Sequence, residues 1–439
     1  MIRNRKIGPF LATVLVVSNM VGSGIFLLPA TLATVGSITV VGWAIGSVGA
    51  LLVGLVLAKL AQVAPEAGGP CAYAAEAMGR YMGFQSSGLY WVSTWIGNIA
   101  VAVAAVGYLA TFFPSLSSPM HFALAQVGII WLLTLANIVG PRFVCQIETA
   151  AVTVGLVPIL LVVVGGWWFF HPEVFHASWN MTHEPAVKVI PGSLILLFWA
   201  FTGLEAASIA TAVVDNPRRN VPIATISGVL IAAVIYTGSC SVIMGLIPAA
   251  QLAKSSAPFA DAVAVMLGPV AGALVALAAL FKSCGTLGGQ ILIAAQTAKA
   301  GADRGLFPAI FGRVDRGGVP VPNLLLIAVL MTGIVFATQS PTVGEQFGKL
   351  IDVSVVLCLL VYMYACVAIW HYIDPETDRK TAVRYRAIAL LAMLFCFGVI
   401  AMSDTQLLAL SAVVVFLTLP LYPFFMRPPQ TAPTVDAPG

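Results

Sequence analysis

Charge is the scarcest commodity in this sequence. Only 9% of its 439 residues are Asp, Glu, Lys or Arg, while 60% are hydrophobic; soluble chains carry about a quarter charged residues. A globule of this composition would have no polar skin, so the chain reads as an all-α polytopic membrane protein. It also lacks the small-residue exit site of a cleavable signal, and Met1–Lys6 reads as a cytoplasmic flank of the first span. The seven cysteines (Cys71, Cys145, Cys240, Cys284, Cys358, Cys366, Cys396) are scattered through apolar runs without metal-ligand spacing and read as packing residues. No nucleophile–base pair, nucleotide-binding loop or metal cluster stands out, so neither an enzyme nor a cofactor or metal site is expected. The formal charge of +4 reflects basic loops rather than a basic face, so no nucleic-acid partner is implied. The longest stretches between apolar runs, 63–82, 171–189 and 299–321, are too short for a soluble domain.

What the chain has instead is apolar runs. A window of about 19 residues gives twelve candidate spans near 9–30, 37–62, 83–113, 121–140, 147–170, 190–212, 221–247, 266–298, 322–339, 348–371, 384–402 and 405–426. With the N-terminus inside, Lys188, Lys254 and Lys349 are the basic residues outside, Lys282 falls within the eighth span, and the rest of the 21 Lys and Arg lie inside. That asymmetry predicts twelve spans with both termini in the cytoplasm and a cytoplasmic tail at 427–439.

Two spans are interrupted. The first breaks on Ser18-Asn19-Met20-Val21-Gly22-Ser23-Gly24 and the sixth on Phe201-Thr202-Gly203-Leu204-Glu205. Backbone leaves the helix at membrane depth only where it lines a protein cavity, because each unpaired polar group costs several kcal/mol in hydrocarbon. Paired interruptions in two halves of a chain point to the binding site of a secondary transporter. Gly22 and Gly24 would free amides beside Ser23 to cradle a carboxylate, or would be small-residue packing points between helices.

Glu205 and Lys282 are the acid and base expected well inside spans, where charge is costly and usually functional. Glu205 could take up a proton or pair with a substrate ammonium; alternatively the two form a buried ion pair tying the sixth span to the eighth. Trp199 could cover a ligand or be core packing.

Several stretches carry a resemblance: SNMVGSGIFLLPA at Ser18–Ala30, YWVSTWIGN at Tyr90–Asn98, WAFTGLEAAS at Trp199–Ser208, NPRRNVP at Asn216–Pro222, GTLGG at Gly285–Gly289 and QTAKAGADRGLFP at Gln296–Pro308. Together they resemble the amino acid/polyamine/organocation superfamily, in its basic amino acid/polyamine antiporter branch, nearest to the bacterial arginine/agmatine antiporters. The resemblance implies a five-plus-five inverted repeat, spans 1–5 (residues 1–171) and 6–10 (190–371), with two appended spans (384–426), unwound first and sixth spans, and a homodimer among membrane lipid. It implies that Ser23 and the amides around Gly22 and Gly24 hold a substrate carboxylate, and that carbonyls near Asn19 and Trp199 receive its amino group. Asn98 would bond the distal part of the substrate. Trp199 would be a central gate; Tyr90, Glu205 and Tyr362 would form an inner gate, with Glu205 proton-sensitive.

Departures from that branch are also readable. Gln290 stands where the arginine/agmatine antiporters carry a tryptophan, Thr202 where they carry an isoleucine, and Lys282, one turn before Thr286, where they carry a small residue. Polar groups thus replace apolar contacts, and an ammonium near the path would repel a cationic substrate. The expected function is exchange of an amino acid for a related amine or amino acid across a bacterial cytoplasmic membrane. The alternative is proton-coupled uptake, by symport or uniport, with Lys282 in place of a sodium ion; a non-transporting sensor is a third reading.

Overall fold

The computed structural model describes residues 6–340, 342–373 and 379–425, apart from the side chains of Ser23, Ser117 and Ala212. The expected tail at 427–439 lies outside the described residues, as do Arg3, Arg5 and Arg427 of the charge asymmetry. The described chain is helical, with one isolated bridge between Ile7 and Val214. The helices run in order α1 (Pro9–Met20), α2 (Leu28–Ala33), α3 (Thr39–Val63), α4 (Pro70–Met78), α5 (Arg80–Ala110) and α6 (Pro119–Val139). Next come α7 (Pro141–Leu160), α8 (Pro172–Ala177), α9 (Ala186–Phe198), α10 (Ala206–Ile209), α11 (Pro217–Leu246) and α12 (Ala249–Leu252). The last six are α13 (Pro258–Leu267), α14 (Pro269–Asp303), α15 (Val321–Ala337), α16 (Val343–Tyr372), α17 (Arg379–Ala401) and α18 (Thr405–Phe425).

Proline explains many of the starts. Pro9, Pro70, Pro119, Pro141, Pro217, Pro258 and Pro269 each open a helix, where the missing N–H is one that no intrahelical acceptor would have met. Pro141 accordingly starts α7 six residues before the expected span at 147, so Glu148 lies in its second turn rather than at its mouth.

Nine of the described helices are long and apolar enough to cross a membrane: α3, α5, α6, α7 with its continuation to Phe169, α11, α14, α16, α17 and α18. Of four shorter apolar helical stretches, Pro9–Met20, Ala186–Phe201 and Val321–Ala337 coincide with the first, sixth and ninth expected spans, and the fourth is Pro258–Leu267. The first two are short because the helix stops. After Met20 the backbone is extended at Gly22 (φ −77°, ψ −158°) before a 3₁₀ turn at Ser23–Phe26 and then α2. After Phe198 a 3₁₀ turn at Trp199–Phe201 leads to extended Thr202 (φ −63°, ψ 137°).

Gly203 follows with φ +98°, a conformation that costs a residue with a Cβ about 1–2 kcal/mol. Glycine is therefore what lets the chain turn back into α10.

The interior is organised around α5. Of its most apolar window 83% is buried, against 22% for α17 and 17% for α18, which makes α5 the central column and the last two helices outer staves. α14 and α16 flank α5, α7 lies on α14, and α11 packs on α3 and α1. Outer faces carry Val139, Phe143, Leu394, Phe416 and Phe424, all exposed. Lipid chains are the solvent such faces suit.

Candidate functional site

Both helix breaks open on one cavity of about 130 Å³ in the middle of the protein. From the first break Asn19, Gly22 and Gly24 line it; from the second, Trp199, Thr202, Gly203 and Glu205. α5 supplies Tyr90 and Asn98, and α14 supplies Thr286 and Gln290. These residues come from four regions as far apart in sequence as Asn19 and Gln290, and packing rather than local sequence brings them together.

The breaks are braced from outside. The Tyr236 hydroxyl of α11 donates to the Met20 carbonyl at 2.6 Å, and the Tyr108 hydroxyl of α5 donates to the Phe26 carbonyl at 2.9 Å. The Met20 carbonyl also accepts from the Gly22 amide at 2.7 Å, so the tyrosines add side-chain donors to carbonyls beside the break, where buried backbone needs partners. At the second break the Thr202 hydroxyl donates to the Trp199 carbonyl at 2.7 Å. Thr202 therefore serves its own turn as well as lining the cavity.

Trp199 is wedged between two glycines. A Cβ on Gly24 would collide with the indole Nε1, and one on Gly97 would lie 2.7 Å from Cη2. The ring thus spans from the first break to α5 across the cavity, with no room for a side chain at either contact.

Glu205 is the most heavily partnered acid near the cavity. Its carboxylate accepts from the Tyr90 hydroxyl at 2.8 Å, from the Tyr362 hydroxyl at 2.5 Å and from the Gly203 amide at 3.1 Å. It is 2% exposed. Two tyrosines on α5 and α16 and a carboxylate at the second break therefore form one closed knot beneath the cavity, and Tyr362 belongs to it without lining the cavity itself.

Lys282 also stands one layer back. Its ammonium donates to the Thr286 hydroxyl at 3.0 Å, and the residue is 1% exposed. Thr286 in turn faces the first break, its Cγ2 lying 3.8 Å from the point where a Cβ on Gly22 would stand. Among the described residues no ion pair joins Lys282 to Glu205; the ion pairs found are Lys188–Glu184, Lys299–Asp303 and Lys349–Glu345. The reading of the two as a structural pair is therefore corrected. Each has its own hydrogen-bond partners on a different side of the cavity.

Asn98 is 2% exposed, and its amide nitrogen has no hydrogen-bond partner among the described residues, so it has hydrogen-bonding capacity to spare at the cavity wall. The Ser23 side chain is outside the description; its backbone opens the 3₁₀ turn, whose first amides have no intrahelical acceptor.

Several lining residues escaped the sequence reading: Thr94, Gly97 and Val101 on α5, Ile293 on α14, and Ser354 and Cys358 on α16. Spacing held a signal for each of them. Tyr90, Thr94, Gly97 and Val101 follow one helical face, as do Lys282, Thr286, Gln290 and Ile293. On α16 Ser354 and Cys358 fall two turns and one turn before Tyr362 on the same face, and packing on α5, through the 2.7 Å bond from the Ser354 hydroxyl to the Ser93 carbonyl, turns that face inward. Glu148 on α7 was missed as well: it lies across α14 from the cavity, over Gly289.

Comparison with known proteins agrees with this geometry. The family model described as amino acid permease matches residues 7–432. The cadaverine/lysine antiporter of Escherichia coli (strain K12) is 36% identical over 398 residues, covering 90% of this chain and 89% of the relative. The putrescine transporter PotE of the same organism is 35% identical over 423 residues, 96% of each chain. PotE of Haemophilus influenzae is 33% identical over 427 residues, covering 96% of this chain and 97% of the relative. A match over nearly the whole length, on a helical membrane protein whose broken helices meet at a polar cavity, makes this chain a transporter rather than an enzyme. It belongs to the amino acid permease family, in the basic amino acid/polyamine antiporter branch of the amino acid/polyamine/organocation superfamily.

Proposed function

We propose that the protein exchanges an amino acid for a related amine or amino acid across a bacterial cytoplasmic membrane, by alternating access to the cavity between the two helix breaks. The observation that carries this reading is the cavity itself. It is polar, small and roofed by Trp199, and it is sealed on another side by the Tyr90–Glu205–Tyr362 knot. A binding space with a removable aromatic wall and a hydrogen-bonded latch is what an alternating-access carrier needs.

In this reading the chain has twelve spans, with both termini in the cytoplasm. Residues 1–171 and 190–371 form two inverted repeats, 384–426 two appended helices, and two copies form a dimer. The amides around Gly22, Ser23 and Gly24 hold the substrate carboxylate. Carbonyls near Asn19 and Trp199 take its amino group, and Asn98, Thr286 and Gln290 meet its distal end. Trp199 is the central gate; Glu205 with Tyr90 and Tyr362 is the inner gate and a proton-sensitive group. The relatives' printed cargoes, lysine with cadaverine and putrescine, support an amino acid or amine as the substrate class. Thr202 and Gln290 favour a member of that class with hydrogen-bonding capacity at its far end over one with a bare aliphatic stem.

A second reading, proton-coupled uptake, is favoured by one observation. Lys282 places a fixed ammonium against Thr286 and the first break, where it could stand in for a bound sodium ion.

Counterflow of radiolabelled amino acids into proteoliposomes tests the choice. Uptake that requires unlabelled amino acid or amine inside supports exchange. Uptake into empty vesicles, driven by a proton gradient, supports the second reading.

A further inference from the structure

A carboxylate that plays no part in the cavity lies close behind it. Glu148 sits seven residues into α7, about 10 Å from its start at 1.5 Å per residue, and is half-buried. α7 and α14 approach through glycines. A Cβ on Gly285 would collide with Ala151 and come within 3.3 Å of the Glu148 Cα, and one on Gly289 would land on the Glu148 carboxylate itself. Further along the same seam Gly155 of α7 leaves room for the Lys282 stem, since a Cβ there would lie 2.5 Å from Cγ and 2.8 Å from Cδ.

The Lys282 ammonium reaches forward along α14 to Thr286, four residues nearer Gly289. Lys282 and Glu148 thus place opposite charges on the same α7–α14 seam, with no direct ion-pair contact among the described residues. Among the described residues the Glu148 carboxylate accepts no hydrogen bond.

Other titratable groups around α7 are engaged or distant. On α14 Lys299 is paired with Asp303, and Cys284 is a thiol one turn from Gly288. On α6 His121 lies at the opposite end, against the Ser115 carbonyl. On α11 the Tyr236 hydroxyl is donated to Met20, Cys240 is buried, and Arg218 and Arg219 are exposed at the helix start. Arg142 and Cys145, both exposed, precede Glu148 on its own helix. Lys282 is thus the buried cation that faces it.

We propose that Glu148 is a proton-binding site of the transport cycle, linked to the substrate cavity through Lys282 and Thr286 and separate from Glu205. It rests on the transporter reading and adds a coupling residue to it. When Glu148 is ionised, the Lys282 ammonium has a counter-charge and holds Thr286 against the first break. When Glu148 takes a proton from hydronium, it becomes a neutral acid and water is released. The ammonium is then left uncompensated in a low-dielectric seam and leaves it, withdrawing its hydrogen bond from Thr286. Substrate and proton therefore compete for, or cooperate at, one wall of the cavity.

Calorimetry of the purified full-length protein, run in buffers of different ionisation enthalpy, counts the protons exchanged when substrate binds. The probe is whichever of lysine, ornithine, arginine and glutamine binds most tightly. Glu148→Gln is expected to lose a share of the proton exchange that Glu205→Gln leaves in place. Glu148→Asp should restore it, and Lys282→Met should lose the same share with no additional loss in the double variant. Proton exchange in Glu148→Gln equal to that of the unaltered protein overturns the proposal while leaving transport intact; no binding of any probe, together with no counterflow, overturns the transporter reading instead. Should Glu148→Gln fail to fold by size-exclusion chromatography, Lys282→Met carries the same test alone.

Discussion

Glu205 and Lys282 look alike in the sequence, as lone charges in apolar runs, yet their surroundings give them different work. Glu205 accepts three hydrogen bonds that tie α5, α16 and the second break together. Lys282 bonds one hydroxyl beside the first break. Since they share no contact, a double-mutant cycle of Glu205→Gln and Lys282→Ala should give a coupling within about 0.5 kcal/mol of zero in stability. Thermal melting in detergent measures it, and strong coupling would restore the ion pair.

Selectivity should respond to Lys282 alone. Removing a fixed positive charge behind Thr286 lowers the cost of bringing in a second one, so Lys282→Ala is expected to increase binding of arginine relative to its near-isosteric neutral analogue citrulline. A ratio equal to that of the unaltered protein would show that the ammonium is screened from the cavity. Trp199→Leu should lose most exchange while retaining fold, because Tyr90, which also lines the cavity, is held by Glu205 and leucine cannot reach from Gly24 to Gly97. Near-normal counterflow in that variant would deny Trp199 its gating role.

At the scale of elements, the two breaks depend on glycine for different physical reasons. Gly203 is needed for its backbone: at φ +98° an alanine pays about 1–2 kcal/mol, so Gly203→Ala should lower the melting temperature with or without substrate. Gly24 is needed for its emptiness, since any Cβ meets the indole of Trp199. Gly24→Val should therefore displace the ring and abolish substrate binding by calorimetry while leaving a folded protein; binding at unaltered affinity would place the ring elsewhere in the bound state. The two outcomes separate a conformational role from a steric one. Both glycines stood out in the sequence as parts of interrupted spans, but which property each supplies depends on what lies across from it.

For the whole molecule the expectation is a shift in stability with ligand. A substrate bridging both breaks, α5 and α14 binds only when those four regions are assembled, so at one hundred times its dissociation constant it should add about 2.7 kcal/mol. A melting screen across amino acids and their amines would rank candidates by this effect. Diamines lacking a carboxylate should stabilise less than the corresponding amino acids, because they offer no acceptor to the first amides of the 3₁₀ turn at Ser23–Phe26. The reverse ranking would remove the carboxylate cradle from the proposed site.

Membrane class, helix content and the places where helices stop follow from the sequence alone. They rest on local properties: a run of apolar residues must hide its backbone in a helix, and proline and glycine mark where that helix starts or fails. Most candidate cavity residues were also readable, since Asn19, Gly22, Gly24, Trp199 and Glu205 sit on the breaks themselves. Tertiary structure decided the partners. Tyr90 and Tyr362 reach Glu205 because α5 and α16 pack side by side, and Ser354 and Cys358 join the wall for the same reason. Lys282 faces Glu148 rather than Glu205 because glycines at 155 and 289 let α7 and α14 close on each other. Side-chain charge is written in the sequence, but the distance between two charges on separate helices is fixed by packing, and the interaction between them depends on that distance.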